Sequence, residues 1–166
     1  MKRLYLIGGP MGVGKTAACR CLQKRLERSV FLDGDWCWDA HPFQVTEETK
    51  AMVLDNIAHV LNNFLRCSAY DHVLFCWVLH RREIWEELLS RLDTGGCTVV
   101  KTALTCSPED LTARLERDVA AGLRTPDALE RSLAYLPLYG ALGVRLLDTT
   151  ALTAEETAYA ILEATG

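Results

Sequence analysis

Apolar residues fall into two alternating kinds of segment along the chain. Short, almost continuous apolar runs, as expected for strands covered on both faces, occur at residues 3–7, 30–32, 72–79, 97–105 and 144–147. Longer segments, with apolar residues three or four positions apart, predict helices at residues 16–28, 46–67, 82–92, 107–122, 125–138 and 153–164. Strands that alternate with helices pair in parallel and are covered by helices on both sides. We therefore predict an α/β fold in which a five-stranded parallel sheet lies between two layers of helices.

The turn between the first strand and the first helix has the pattern G-x-x-x-x-G-K-[ST]. It consists of Gly9, Pro10, Met11, Gly12, Val13, Gly14, Lys15 and Thr16. Glycines allow a turn so tight that successive backbone N–H groups point at a polyphosphate, and the following helix directs its positive end to the same place. Lys15 supplies a cation for the β- and γ-phosphates, and Thr16 supplies a hydroxyl for Mg²⁺. Because strand, loop and helix follow in the required order, we predict a phosphate-binding loop.

Composition and charge restrict the class of protein. The 166 residues fit one domain, and 49% apolar with 24% charged residues is ordinary for a soluble globular protein. A net charge of −4 disfavours a general nucleic-acid binder. No apolar stretch approaches the roughly 18 residues of a membrane span, and the chain leads directly into the first strand, so we expect a cytoplasmic protein without membrane association. The seven cysteines form no C-x-x-C pair, which favours reduced thiols over disulfides or a zinc site.

Two carboxylates follow the second strand, in the sequence Asp33-Gly34-Asp35. In an open α/β sheet the ligand lies beyond the carboxyl ends of the strands, which is where this turn falls. The third strand does not end in the aspartate common in phosphate-loop proteins, so Asp33 is the candidate for the magnesium shell. Asp35 lies farther from the strand and is the candidate base for an acceptor hydroxyl. An ordinary surface turn would also explain the pattern.

Candidate acceptor-binding residues come after the second and third strands. Arg81 and Arg82 could clamp an anionic or hydroxyl-bearing acceptor, or simply begin a solvated helix. Trp36, with Trp38 and Phe43, could form a wall against a flat or apolar acceptor. Packing within a long loop is a slightly better explanation for these aromatic residues.

Two arginines follow the fourth strand. Arg117 lies on the predicted helix, and Arg124 lies past the break at Gly122. We expect Arg117 to stack on the nucleotide base and Arg124 to meet the transferred phosphoryl group, with residues 117–127 forming a short lid. A solvated basic helix face is the alternative explanation.

Together these residues resemble the P-loop small-molecule kinases, the group that contains shikimate, gluconate, adenylylsulfate, chloramphenicol and nucleoside-monophosphate kinases. The resemblance covers nearly the whole chain and implies the strand order 2-3-1-4-5, with ATP and Mg²⁺ as cofactors. In shikimate-kinase-like members, a carboxylate pair spaced like Asp33 and Asp35 serves magnesium and the acceptor hydroxyl. Two lid arginines seven residues apart, like Arg117 and Arg124, serve the base and the phosphate. Asp118 stands where adenylate kinases often have another lid arginine.

Three hypotheses about function follow. The first is an ATP-dependent, Mg²⁺-assisted kinase that phosphorylates a hydroxyl of a small metabolite or antibiotic. The second is a nucleoside or nucleotide kinase in which the aromatic segment 36–43 stacks a base. The third is a non-catalytic ATP-binding module, against which the carboxylate pair argues. In each case we expect a single domain over residues 1–166, as a monomer or homodimer.

Overall fold

A computed structural model describes residues 1–163 of the chain. Its sheet has five strands, and every neighbouring pair is parallel. The strands are β1 (Lys2–Gly8), β2 (Ser29–Asp33), β3 (His72–Cys76), β4 (Cys97–Thr105) and β5 (Arg145–Asp148). Their order across the sheet is β2-β3-β1-β4-β5. This arrangement confirms the α/β fold and the strand order 2-3-1-4-5.

The described residues also form six α-helices, one in each predicted helical segment. They are α1 (Lys15–Arg25), α2 (Glu47–Arg66), α3 (Arg82–Ser90), α4 (Pro108–Ala120), α5 (Asp127–Tyr135) and α6 (Ala154–Glu163). The start of α2 is fixed by a reciprocal cap between Thr46 and Thr49. The start of α4 is fixed by the Ser107 hydroxyl, which accepts from the Asp110 amide, with Pro108 in the first turn. Residue 164, the predicted end of α6, lies outside the described residues.

Three predicted boundaries were wrong by three residues each. Strand β3 ends at Cys76 rather than at residue 79, and three residues later Leu79 has a φ of 41°, which strand backbone cannot adopt. Helix α1 ends at Arg25 rather than residue 28, because Leu26 is extended. The helix predicted to reach residue 138 ends at Tyr135 and continues as a 3₁₀ turn (Leu136–Ala141), where Pro137 has no N–H to donate.

Side chains alternate between the two faces of the sheet and form a core on each. From β1, Leu4 and Leu6 face the core formed with α2 and α3, while Tyr5 and Ile7 face the core formed with α1, α4 and α6. All four are essentially inaccessible to solvent. Both faces are therefore covered, and the loops at the carboxyl ends of the strands remain as the place for a ligand. No helix among residues 1–163 is long and apolar enough to cross a membrane.

Candidate active site

The phosphate loop connects β1 to α1 and packs tightly against α4. Gly12 has a φ of 84°, and a Cβ atom there would lie 2.6 Å from a Leu115 methyl group. Gly14, directly before α1, has a φ of 101°. Both positions therefore need glycine, for the backbone angle and, at Gly12, also for space.

Lys15 curls back over the loop. Its Nζ donates to the carbonyl oxygen of Pro10 over 2.8 Å. Burial lowers the pKa of Lys15. Electrostatic interactions with Cys76, Asp35 and Asp33 oppose this decrease. Because the ammonium is hydrogen-bonded to a neutral carbonyl, its charge remains available to a phosphate group.

Asp33 connects the end of β2 to the start of α1. Its buried carboxylate accepts from the Thr16 hydroxyl over 2.7 Å with Oδ2, and from the backbone N–H of Asp35 over 3.0 Å with Oδ1. The structure thus brings Thr16, Asp33 and Asp35 together beside the phosphate loop. Sequence separation gives no hint of the Thr16–Asp33 contact, which depends on the placement of β2 in the sheet.

These oxygen atoms are the donors that Mg²⁺ prefers. Among residues 1–163, no group of three or more acidic, histidine or cysteine side chains could hold a metal ion. Mg²⁺ is usually held by one or two carboxylates together with substrate phosphates. Thr16 and Asp33 are the residues that would hold it here.

Asp35 lies at the solvent-exposed mouth of this cluster. The surrounding protein, by reducing solvation, and the negative charge of Asp33 raise the pKa of the Asp35 carboxyl. Lys15, the Trp77 indole and Arg124 oppose that rise. A carboxylate with a raised pKa takes a proton more readily than an ordinary surface aspartate, as a general base must.

Arg124 faces the phosphate loop from the connection between α4 and α5. It lines a cleft of about 350 Å³. The other lining residues are Met11, Gly122, Leu123, Thr125, Ala128 and Arg131. Its Nε is paired with Asp118 Oδ2 at 2.9 Å, so Asp118 holds the guanidinium. The charge of Arg124 lowers the pKa of both Lys15 and Asp35, so the guanidinium lies within electrostatic reach of the cluster.

The other predicted contact arginines are exposed, and two of them donate to backbone carbonyl groups outside this cluster. Arg117 is exposed on α4, where its Nε is 3.5 Å from the carbonyl oxygen of Ala113. Arg82 donates to the carbonyl oxygen of Ala141 over 3.1 Å, and Arg81 is exposed just before α3. The roles of these three arginines remain predictions.

The structure does not join the two tryptophans after Asp35 into one wall. The Trp36 ring is 5.3 Å from that of Phe31 on the α1 side of the sheet. Trp38 lies against the other core, with its ring 4.8 Å from that of Phe43. Trp36 is nevertheless half exposed, so a role in acceptor binding remains a prediction.

Residues 6–123, which include the loop, both aspartates and Arg117, match a family model described as AAA domain. The chain belongs to this AAA domain family. A comparison with curated protein sequences finds no match.

Several solved structures share the fold of this AAA domain. The tunicamycin resistance protein of Deinococcus radiodurans has a TM-score of 0.75 at 21% identity, over 100% of this chain and 96% of that one. A gluconokinase from Sinorhizobium meliloti 1021 has a TM-score of 0.71 at 17% identity, over 97% of this chain and 90% of that one. Shikimate kinase from Acinetobacter baumannii, solved with shikimate, has a TM-score of 0.62 at 22% identity, over 99% of this chain and 93% of that one. The resemblance to P-loop small-molecule kinases is thus confirmed in fold.

Arg114 is a further residue at the site of this AAA domain, on the helix whose arginines were expected to reach over the nucleotide, but the sequence favoured Arg117 and Arg124 instead. Its guanidinium donates to the Val13 carbonyl over 2.8 Å and to the Thr149 carbonyl over 3.0 Å, and pairs with Asp110 at 2.6 Å. Arg114 therefore connects α4 to the phosphate loop and to the turn after β5. The Asp110–Arg114 spacing of four residues in a helix was the one available signal.

Arg114→Ala should destabilise the AAA domain by about 2 kcal/mol, because it leaves two carbonyl groups and the Asp110 carboxylate without their partner. Chemical unfolding measures the change. Arg66→Ala is the control, since its ion pair with Asp93 is long, at 3.7 Å, and exposed. That control should change stability by less than about 0.5 kcal/mol. Equal effects of the two substitutions would contradict a connecting role for Arg114.

Proposed function

We propose that the chain is an ATP-dependent kinase that transfers the γ-phosphoryl group of ATP to a hydroxyl group of a small-molecule acceptor. The observation that carries the proposal is the cluster of Thr16, Asp33 and Asp35 beside a phosphate loop. A nucleotide-binding module needs the loop, but it has no need of a second carboxylate at the mouth of the cluster. Residues 1–166 would form one domain, with a short lid around residues 117–127.

Each residue has a role in this proposal. Backbone N–H groups of the loop and Lys15 bind the β- and γ-phosphates. Mg²⁺, held by Thr16 and Asp33, would neutralise charge on the β- and γ-oxygens. Arg117 would lie beside the adenine, and Arg124 would leave Asp118 to meet the transferred group.

The proposed transfer needs no reactant other than ATP and the acceptor. The acceptor oxygen forms a bond to the γ-phosphorus while the bond from that phosphorus to the β-phosphate oxygen breaks. Asp35 takes the hydroxyl proton, and ADP leaves with Lys15 and Arg124 offsetting its charge. Asp35 has a solvent-facing carboxylate for this step, whereas both oxygens of Asp33 are already hydrogen-bonded.

A phosphorylation screen tests the proposal. The protein is incubated with Mg²⁺ and ATP against pooled sugars and other alcohols, nucleosides, and aminocyclitol and phenicol antibiotics. We expect ADP release that depends on one pool and a product heavier by one phosphoryl group in mass spectrometry. Transfer to nucleosides alone would favour the nucleoside kinase. ATP binding without transfer to any pool would favour the non-catalytic module.

Asp35→Asn should lower the rate of transfer by about 10²- to 10⁴-fold and leave ATP–Mg²⁺ binding intact, because a general base contributes that much and the metal shell is retained. Steady-state kinetics and calorimetry separate the two effects. Asp39→Asn, an exposed acid four residues on, is the matched control and should be neutral. If Asp33→Asn instead kept ATP–Mg²⁺ binding and lost only acceptor binding, the roles of Asp33 and Asp35 would be exchanged.

A further inference from the structure

The cleft that Arg124 lines opens beside the phosphate loop. Its volume of about 350 Å³ suits a small molecule. One of its lining residues is Met11 of the loop, which follows Pro10, the residue whose carbonyl oxygen accepts from Lys15. The other described lining residues come from the connection after α4 and from α5, whereas Arg117, proposed to lie beside the adenine, is on α4. A ligand in this cleft would therefore meet the γ-phosphate of ATP rather than its base.

The polar side chains that line this cleft already have partners in the protein. Arg124 is paired with Asp118, and Arg131 with Asp127, each over 2.9 Å. The Thr125 hydroxyl donates to the same Asp127 carboxylate. An anionic ligand would have to displace one of these carboxylates, because both guanidinium charges are compensated. The cleft therefore favours an uncharged acceptor, with the transferred phosphoryl group as the one anion that it receives.

Leu123 supplies exposed apolar surface to the cleft. Its backbone N–H donates to the carbonyl oxygen of Asp118 over 2.8 Å, and that of Gly122 to Val119 over 3.0 Å. With Gly122 at a φ of 72°, this is the motif that commonly ends a helix, in which an apolar residue after the glycine often packs on the position held here by Asp118. Asp118 is instead paired with Arg124, and Leu123 is 75% exposed. The backbone thus holds Leu123 in place while most of its side chain stays open to a ligand.

The remaining apolar surface of the cleft comes from Met11 and Ala128. Ala128 is buried, and Met11 is partly buried. A methionine thioether is flexible and adapts to the shape of an apolar ligand. Covering these side chains and Leu123 with the apolar part of a ligand removes them from water, which is favourable.

We propose that this cleft binds an uncharged acceptor with an apolar face next to its hydroxyl group, and that Leu123 and Met11 select this class. This inference rests on the proposed kinase function, and the transfer is the one described above, from ATP to that hydroxyl. The class excludes sugar acids, hydroxy acids and nucleotides. It also excludes unsubstituted sugars, because their hydroxyl groups would lie on apolar side chains without hydrogen-bonding partners.

NMR of the methionine methyl groups tests the site without turnover. The chain has three methionines, Met1, Met11 and Met52. The protein is saturated with Mg²⁺ and a non-hydrolysable ATP analogue. Three pools are then added separately: aryl glycosides with aryl-substituted diols, simple sugars with cyclitols, and sugar acids with hydroxy acids. Only the first pool should shift the Met11 signal, while Met1 and Met52, the latter 45% exposed on α2, should not respond.

Each other result of this titration would overturn the proposal. These results are a shift of Met11 with the acids, an equal response to the simple sugars, a shift of Met52 in place of Met11, and no shift with any pool.

Leu123→Asn should weaken binding of the compound that shifts Met11 about tenfold, because an apolar contact is replaced by an amide that must lose water. Asparagine is similar in size and keeps the backbone motif, so affinity for the ATP analogue should not change. Leu146→Asn is the matched control, since Leu146 is a 46% exposed leucine on β5, outside the cleft. Calorimetry measures both variants. Equal weakening in the two, or none in either, would overturn selection by Leu123.

Kinetics separate the site from the kinase function. With a phosphorylated compound, Leu123→Asn should raise the KM for that acceptor about tenfold and leave kcat and the KM for ATP nearly unchanged. Binding at Met11 without phosphoryl transfer by the wild type would refute the kinase function and leave the cleft as a site for an apolar ligand. Transfer to an acid or an unsubstituted sugar alone would support the kinase function and overturn the acceptor class proposed for the cleft.

Discussion

Lys15→Ala should weaken ATP–Mg²⁺ binding strongly and lower phosphoryl transfer on the order of 10³-fold or more. The loop would keep its backbone donors but lose its cation, so the γ-phosphate would be poorly neutralised as charge shifts during transfer. Among residues 1–163, the ammonium donates only to a neutral carbonyl oxygen, that of Pro10. Its removal therefore leaves no buried carboxylate unpaired, and the fold should survive.

Calorimetry with ATP–Mg²⁺ and steady-state kinetics measure both effects of Lys15→Ala. A thermal-shift assay adds a control for folding, because ATP–Mg²⁺ should raise the Tm of the wild type and not that of the variant. Lys24→Ala, at the exposed end of the same helix, should behave like the wild type. Wild-type affinity and rate in Lys15→Ala would refute the assignment of the loop.

Arg124→Ala should lower the rate at saturating ATP on the order of 10³-fold, with little change in ATP affinity. The transferred phosphoryl group spreads negative charge over its equatorial oxygens, and an arginine that meets this charge acts mainly in the transition state. Arg117→Ala should instead weaken nucleotide binding and have a smaller effect on the rate. Stacking of an arginine on the base is the same before and during transfer, so it contributes to binding rather than to the transition state.

The matched control for Arg124 is Arg131→Ala. Arg131 lines the same cleft and is also paired with an acid, Asp127, at 2.9 Å. A loss of rate in Arg124→Ala but not in Arg131→Ala identifies a specific contact rather than general positive charge. Amide exchange with and without ATP adds evidence, since residues 122–127 should gain protection. Unchanged rates in Arg124→Ala and Arg117→Ala, without added protection, would make both arginines part of a solvated helix face.

The order of the elements was predictable because hydrophobic periodicity and turn residues are local signals. The continuous apolar run around β3 could not reveal where the strand ends, however, because residues 77–79 stay largely buried after leaving the sheet. The hydrophobic pattern around α5 continues past the end of the helix at Tyr135. The low helix propensity of Pro137 would have located that end. Local signals were thus best for the existence of elements and weaker for their ends.

For the candidate site, too, local sequence signals predicted some features and missed others. The phosphate loop was predictable from its motif, and the carboxylate pair from its position after a strand. The partners of these residues were not, because they come from distant parts of the chain. Thr16 meets Asp33, and Arg114 meets Val13, only when the sheet is assembled. Trp36 and Trp38 are two residues apart but pack against opposite cores, which depends on a 3₁₀ turn (Gly34–Cys37) directly after β2.

Helix α4 contacts the phosphate loop at two points. Leu115 packs against Gly12, and Arg114 donates to the Val13 carbonyl. These contacts fix the position of the helix, and with it that of Arg117, relative to the loop. The pivot for any movement of Arg124 relative to the loop lies past the helix, where Gly122 has a φ of 72°. The two arginines are thus fixed to the loop in different ways, Arg117 through α4 and Arg124 through the connection beyond Gly122. In the proposed kinase, release of ADP would need a change at Arg124 alone, because Arg117 would keep its place beside the loop.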